Sequence, residues 1–297
     1  MKVKKFFIGL GQAALYFGAY FGAQVVVSFA ISLVISVVIS ISMIQPDGSF
    51  NEVAYTVKAT EALARSMNWI MIASGLVALL IFWIVTLIRK KKLFREVSLN
   101  KMKPAALAPI VIGGVAFNFA ISYIMSLIPF PQTWIESYEA SSSDVLGGTG
   151  IAMWIAVVIM APIVEEITFR GFMYSRLKSG MAKWIATLVV SLVFGMVHGT
   201  IIWAMYTFVF SLCLIFILER TKSLWGCIAF HMAFNLVGAT MSAWPKLEYA
   251  IEDFALWVLI GSVVITIGCA AWFVLLTKKK EVEEEINTQI PENQMTY

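Results

Sequence analysis

Charge is scarce in this chain. Only 13% of its 297 residues are Asp, Glu, Lys or Arg, against about 25% in an average soluble domain. No stretch is long and polar enough to make a separate soluble domain. Histidine is scarcer still, with His198 and His231 as the two examples. The three cysteines, Cys213, Cys227 and Cys269, lie in apolar segments without CxxC spacing; they read as buried thiols and say nothing about redox compartment. There is no internal repeat, no glycine-rich phosphate loop and no nucleic-acid signature. The zinc signature His-Glu-x-x-His is also missing. Nucleic acid is therefore excluded as a partner.

What is present is apolar. Hydrophobic residues make up 60% of the chain, and the mean hydropathy is +0.84. A membrane-spanning helix needs about 20 apolar residues. By that measure the sequence predicts an all-α polytopic membrane helix bundle with about eight spans: Gly18–Met43, Asn68–Ile88, Pro104–Ile128, Ile151–Phe172, Trp184–Gly199, Ile201–Leu218, Leu224–Ala243 and Phe254–Thr277. The first apolar run starts at Phe6. As one helix to Ile44 it would measure about 58 Å, twice the hydrocarbon thickness. Either an interfacial helix precedes the span, or one helix projects from the bilayer. Lys2, Lys4 and Lys5 resemble the start of a signal peptide, but the run is too long for a cleaved one, which predicts a retained anchor.

Alternating the eight spans from a cytoplasmic N-terminus puts eighteen lysines and arginines inside and three outside. That bias obeys the positive-inside rule and predicts both termini in the cytoplasm of a multi-pass cell-membrane protein, with the lipid bilayer as its surroundings. Four regions follow: 1–149 with three spans and loops, 150–243 carrying the polar helices, 244–280 with the last span, and 281–297 as a polar tail read as disordered. The stretches 45–67 and 129–150 read as outer loops. Gly18-x-x-x-Gly22 fits a helix-packing motif common in membranes.

The chemistry is concentrated in a few intramembrane residues. An ionisable side chain in hydrocarbon costs roughly 2.5–3.5 kcal/mol on insertion scales, so such groups face the interior and work together. Both histidines and the run Glu165-Glu166-x-x-x-Arg170 fall inside apolar segments. Helix geometry puts Glu166 and Arg170 on one face, where they can pair. Glu165 points about 100° away and is left as the freer carboxylate and the better candidate base. Phe194 and His198, and His231 and Asn235, are likewise four apart. Counted from flanking lysines, Glu165, His198 and His231 lie about 20, 22 and 14 Å deep, a spread that tilt can absorb. His198 falls near a hairpin tip. Alone, a buried Glu–Arg pair is more often structural than catalytic. Together, imidazole and carboxylate are the groups that activate water or bind metal near neutral pH.

The order Glu165-Glu166-x-x-x-Arg170, Phe194-x-x-x-His198, His231-x-x-x-Asn235 resembles the CPBP family of intramembrane proteases. That family includes CAAX prenyl endopeptidases and bacterial bacteriocin-processing or Abi proteins. The likeness covers roughly residues 150–243. It implies an endopeptidase acting on a peptide or membrane-protein substrate. In that scheme Glu165 activates a water that His198 helps to bind. His231 and Asn235 stabilise the oxyanion, and Glu166 and Arg170 hold the site together from behind. Glu165, His198 and His231 could instead supply three zinc ligands, so the cofactor is left open between zinc and none. The short loops suggest a bacterial source. A non-proteolytic scaffold or bacteriocin-immunity role is the alternative within the family, and a proton-coupled transporter is a third reading. Oligomeric state is left open.

Overall fold

A computed structural model describes residues 2–45, 48–147 and 150–289. A backbone that crosses hydrocarbon must satisfy its own N–H and C=O groups, and the apolar segments do this as helices. The longer helices among the described residues are α1 (Lys2–Ser42), α2 (Glu52–Ile88), α3 (Leu107–Ser126), α4 (Gln132–Leu146), α5 (Ile151–Gly180), α6 (Lys183–Met196), α7 (Ile201–Thr221), α8 (Leu224–Ala243), α9 (Pro245–Glu252) and α10 (Ala255–Gln289). Among the described residues seven helices are long and apolar enough to cross a membrane, and α6 is a shorter apolar helix. The chain is an all-α, polytopic helix bundle, and its apolar helices make it a multi-pass membrane protein.

The first apolar run is one uninterrupted helix, α1, the second of the two alternatives that the sequence leaves open. The elements depart from the sequence reading in three places. The stretch 45–67 is not all loop: Asn51 accepts a bond from the Ala54 N–H at 2.9 Å and caps α2, which therefore begins at Glu52. Likewise α4 forms within 129–150, entered through Pro131. The tail is not disordered from its start, because α10 continues to Gln289; the remainder of that expectation, on residues 290–297, lies outside the described residues.

Glycines let the helices approach where the site needs it. A Cβ at Gly9 would lie 2.6 Å from the Arg176 carbonyl oxygen, and one at Gly180 would lie 2.7 Å from the Phe6 Cα. Together these two positions lock the start of α1 against the end of α5. Neither Gly18 nor Gly22 has any atom within 4 Å of an added Cβ. Among the described residues that motif makes no close helix contact. Below the crossing, Tyr16 of α1 stacks on Phe172 of α5, ring centroids 3.8 Å apart. Phe169, Phe172, Phe194 and Phe210 are fully or almost fully buried in one core shared by α1, α5, α6 and α7. Residues such as Val25, Val26, Phe29 and Leu33 on α1 are exposed, as lipid-facing side chains should be.

At the basic end, two carboxylates gather the loop cations. Glu96 meets Arg89, Lys91 and Arg176. Glu219 meets Lys178, Lys183 and Lys222 at 2.9, 2.7 and 3.2 Å. These contacts tie the ends of α5, α6 and α7 to one level.

Candidate active site

The polar residues of α5 sit where its helix changes character. Turns of α-helix alternate with wider π-helical turns at Trp154–Met160 and Glu166–Tyr174. Runs of π-helix are rare and are frequent at functional sites. The local cause is visible at Pro162. In π spacing each N–H reaches five residues back, as the Ala161 N–H does to the Ala156 carbonyl. The next donor would be residue 162, and proline has no N–H. The Val157 carbonyl is met instead by the Asn235 side-chain amide of α8, at 2.8 Å. Asn235 thus supplies a hydrogen bond that the helix cannot.

One turn on, Glu165 and Glu166 separate as the sequence predicts. Glu166 is completely buried and accepts a bond from Arg170 Nη1 at 3.1 Å, the expected pair. The Arg170 guanidinium lies over the Phe194 ring, 4.2 Å from its centroid, a cation–π contact in a desolvated setting. The same Glu166 oxygen lies 2.8 Å from His231 Nδ1. Arginine can only donate, so this oxygen is an acceptor, and Nδ1 carries the proton that reaches it. Nε2 is then the free ring nitrogen of His231, and it faces Glu165 at 3.9 Å. The imidazole therefore sits between the two carboxylates. Glu165 keeps a partly open side chain, 16% exposed.

His198 lies at the end of α6, beside the tight turn at Gly199, where φ is +85°. This is the expected hairpin tip. Its Nδ1 is 2.6 Å from the Phe194 carbonyl, one of the unpaired acceptors at a helix C-terminus. A carbonyl only accepts, so Nδ1 is again the protonated atom and Nε2 is left free. The His198 ring packs on Phe194 at 4.8 Å and on Trp203 at 5.7 Å. Phe194 also meets His231 at 6.2 Å, so one aromatic ring spaces both histidines and the arginine.

The structure thus joins Glu165, Glu166, Arg170 and His231 directly, holds His198 through Phe194, and ties Asn235 to the α5 backbone. For zinc, three donors would have to converge. Among the described residues no three His, Cys, Asp or Glu side chains do so. The residues as placed do not form a ligand set.

Two residues of the site come from α1. Tyr20 and Gln24, with Gly75 of α2 and Met160 and Glu165 of α5, line a cavity of about 30 Å³. Gln24 Nε2 donates to the Tyr20 hydroxyl at 2.9 Å. Their sequence signal is slight: a tyrosine and a glutamine four apart in an apolar run, neither of them a carboxylate or imidazole. A larger open hollow lined by Lys183, Trp184, Thr187 and Leu188 contains none of the site residues.

Residues 147–237 match the model of a family described as type II CAAX prenyl endopeptidase, Rce1-like. The match contains every motif position from Glu165 to Asn235. A Lactococcus lactis subsp. lactis protein named "UPF0177 protein YbdI" is 26% identical over 132 residues, covering 43% of this chain and 70% of that one. A Bacillus subtilis protein named "Putative membrane peptidase YdiL" is 30% identical over 97 residues, covering 33% of this chain and 40% of its own length. No solved structure matches. The polar helices of this chain carry the CPBP resemblance in a form that an endopeptidase family model also recognises.

Proposed function

We propose that this chain is an intramembrane endopeptidase that hydrolyses a peptide bond by water attack, with Glu165 as the base. The observation that carries the reading is the His231 ring held between Glu166, which fixes Nδ1 at 2.8 Å, and Glu165, which faces Nε2 at 3.9 Å. Glu166 and Arg170 balance each other's charge and are wholly buried, so they orient rather than react. Glu165 is the carboxylate with access.

In the proposed reaction a water gives its proton to Glu165 as its oxygen joins the scissile carbonyl carbon. The carbonyl oxygen becomes an oxyanion. His231 in its imidazolium form, with Nδ1–H on Glu166, donates Nε2–H to it. Asn235 has a second amide N–H beyond the one spent on Val157 and can donate as well. His198 presents its free Nε2 to the water or the leaving amine. Glu165 then passes its proton to the amine as the C–N bond breaks. Preorganised donors of this kind are worth about 10²–10³ in rate each. No serine or cysteine nucleophile is required.

The substrate is a peptide or membrane-associated protein. The endopeptidase family match supports this class without choosing within it. The clustering of lysines and arginines supports a cell-membrane placement with both termini in the cytoplasm.

The test is cleavage of a quenched fluorescent peptide library by purified protein in detergent, with and without a chelator. Loss of cleavage in both Glu165→Ala and His231→Ala supports the reading, and sensitivity to the chelator would assign a metal to it. A folded wild-type protein that cleaves nothing, with Glu165→Ala still functional in cells, would move the assignment to a non-proteolytic scaffold.

A further inference from the structure

The cavity beside Glu165 is the size of a water, and its lining is part polar and part apolar. Tyr20 and Gln24 of α1 and Glu165 of α5 supply the polar groups, while Met71, Gly75, Met160 and Val164 supply the apolar wall. Its volume of about 30 Å³ exceeds the roughly 10–15 Å³ that a buried water needs, and such a water needs two to four polar partners. Three are present. Their hydrogen-bonding capacities also fit. The Tyr20 oxygen already accepts from Gln24, so the phenolic proton must point elsewhere. The Glu165 carboxylate can take a proton and the Tyr20 hydroxyl can give one. A water between them would accept from Tyr20, donate to Glu165 and keep its second lone pair for attack.

We propose that Tyr20, steadied by Gln24, is a positioning residue that holds the hydrolytic water against Glu165, which makes α1 part of the catalytic unit. This rests on the peptidase reading, but the water site itself does not. The placement has structural support from both sides. The Tyr20 ring is 7% exposed and packs edge-on against Phe169, centroids 6.0 Å apart. Phe169 in turn packs on Phe194 at 4.9 Å. The phenol is therefore fixed by the same aromatic cluster that spaces the histidines. On α2, a Cβ at Gly75 would lie 2.7 Å from Met160 Cγ; any side chain there must displace Met160, which also lines the cavity.

Two measurements test this together. The first needs no catalysis: X-ray radiolytic labelling of the full chain in detergent, in which radicals formed from a bound water oxidise the side chains touching it. Tyr20 is expected to oxidise several-fold faster than Met153, which is 1% exposed, and the rate should fall toward that of Met153 in Gly75→Ala. A Tyr20 rate no higher than that of Met153 would overturn the water site. The second is steady-state cleavage by Tyr20→Phe, which keeps the ring and loses the hydroxyl. Misplacement of a reacting atom costs up to about 100-fold, so kcat should fall by about 10- to 100-fold with KM unchanged. Gln24→Leu should lower kcat in the same direction by less. Normal kcat in Tyr20→Phe would overturn the positioning role. Rapid Tyr20 labelling in a wild type that cleaves nothing would retire the peptidase reading and the positioning role, yet leave a genuine bound water.

Discussion

At the scale of single residues, two adjacent carboxylates have opposite duties, and substitutions should separate them. Glu166 is buried on Arg170 and His231. Removing one member of a buried ion pair strands the other, at a cost of about 3–5 kcal/mol. Arg170→Leu is therefore expected to lower the thermal midpoint in detergent and the yield of folded protein. Glu165→Gln keeps a polar side chain opposite His231, which Glu166 holds in any case; it should keep the wild-type midpoint and lose cleavage by about 10²–10⁴-fold, the usual worth of an acid–base group. Equal midpoints for the two variants would refute the division of labour. Asn235 allows a finer separation, because its amide both serves the Val157 carbonyl and lies on the helix that carries His231. Asn235→Ala should cost about 1–3 kcal/mol through the unpaired carbonyl. Adding Pro162→Ala restores a backbone donor at the right spacing, so the double variant should recover stability. If cleavage stays low in the recovered protein, Asn235 acts on the substrate; if it returns, its role is to complete the α5 backbone. These residues were legible in the sequence because ionisable and amide groups are conspicuous in apolar segments. The structural duty of Asn235 was not, since it depends on π spacing that no sequence pattern announces.

At the scale of helices, α1 changes meaning. From sequence it is an anchor with a Gly18-x-x-x-Gly22 packing motif; in the fold it is a wall of the site, positioned by a different glycine. The hydropathy that marks α1 as a span cannot say which face is covered, because lipid and protein interior are equally apolar. The close approach is at Gly9, against the Arg176 carbonyl at 2.6 Å. Gly9→Val must push α1 away from α5, and overpacking of this kind costs about 1–3 kcal/mol. It should also reduce cleavage, since Tyr20 and Gln24 lie about three and four turns further along the same rigid element. Gly18→Val places its methyl groups in open space and should stay within about 0.5 kcal/mol of wild type. Thermal midpoints and turnover of the pair check this within one helix. A harmful Gly18→Val beside a silent Gly9→Val would mean that α1 packs in another register, or that its glycine face meets a second molecule.

At the scale of the whole molecule, the question is how seven long apolar helices and the short α6 place a polar site between two unlike surfaces. The short α6 is the weak point of any span count: its 14 residues measure about 21 Å against a hydrocarbon core of about 30 Å. Yet the topology does not depend on it. Lys183 at the start of α6 and Glu219 near the end of α7 are joined at 2.7 Å, so both legs of the hairpin begin and end on one face. Whether the His198 turn reaches the far surface or stops below it, the chain enters α8 from the same side. The positive-inside bias is therefore independent of α6, and it makes a definite prediction. Lys103 and Lys246 are both exposed, one on each expected side. Replaced singly by cysteine, Lys103→Cys should react with an impermeant maleimide only in inverted vesicles, and Lys246→Cys only in intact cells. The native thiols lie within apolar helices, two of them buried, and the unsubstituted chain provides the background. Labelling of both from one side would remove the eight-helix topology and the cytoplasmic termini together. The expected pattern would put the Glu96 and Glu219 clusters at the cytoplasmic surface and Glu165 inside the membrane on α5, where lipid excludes bulk water and a reserved water site beside the base is most needed.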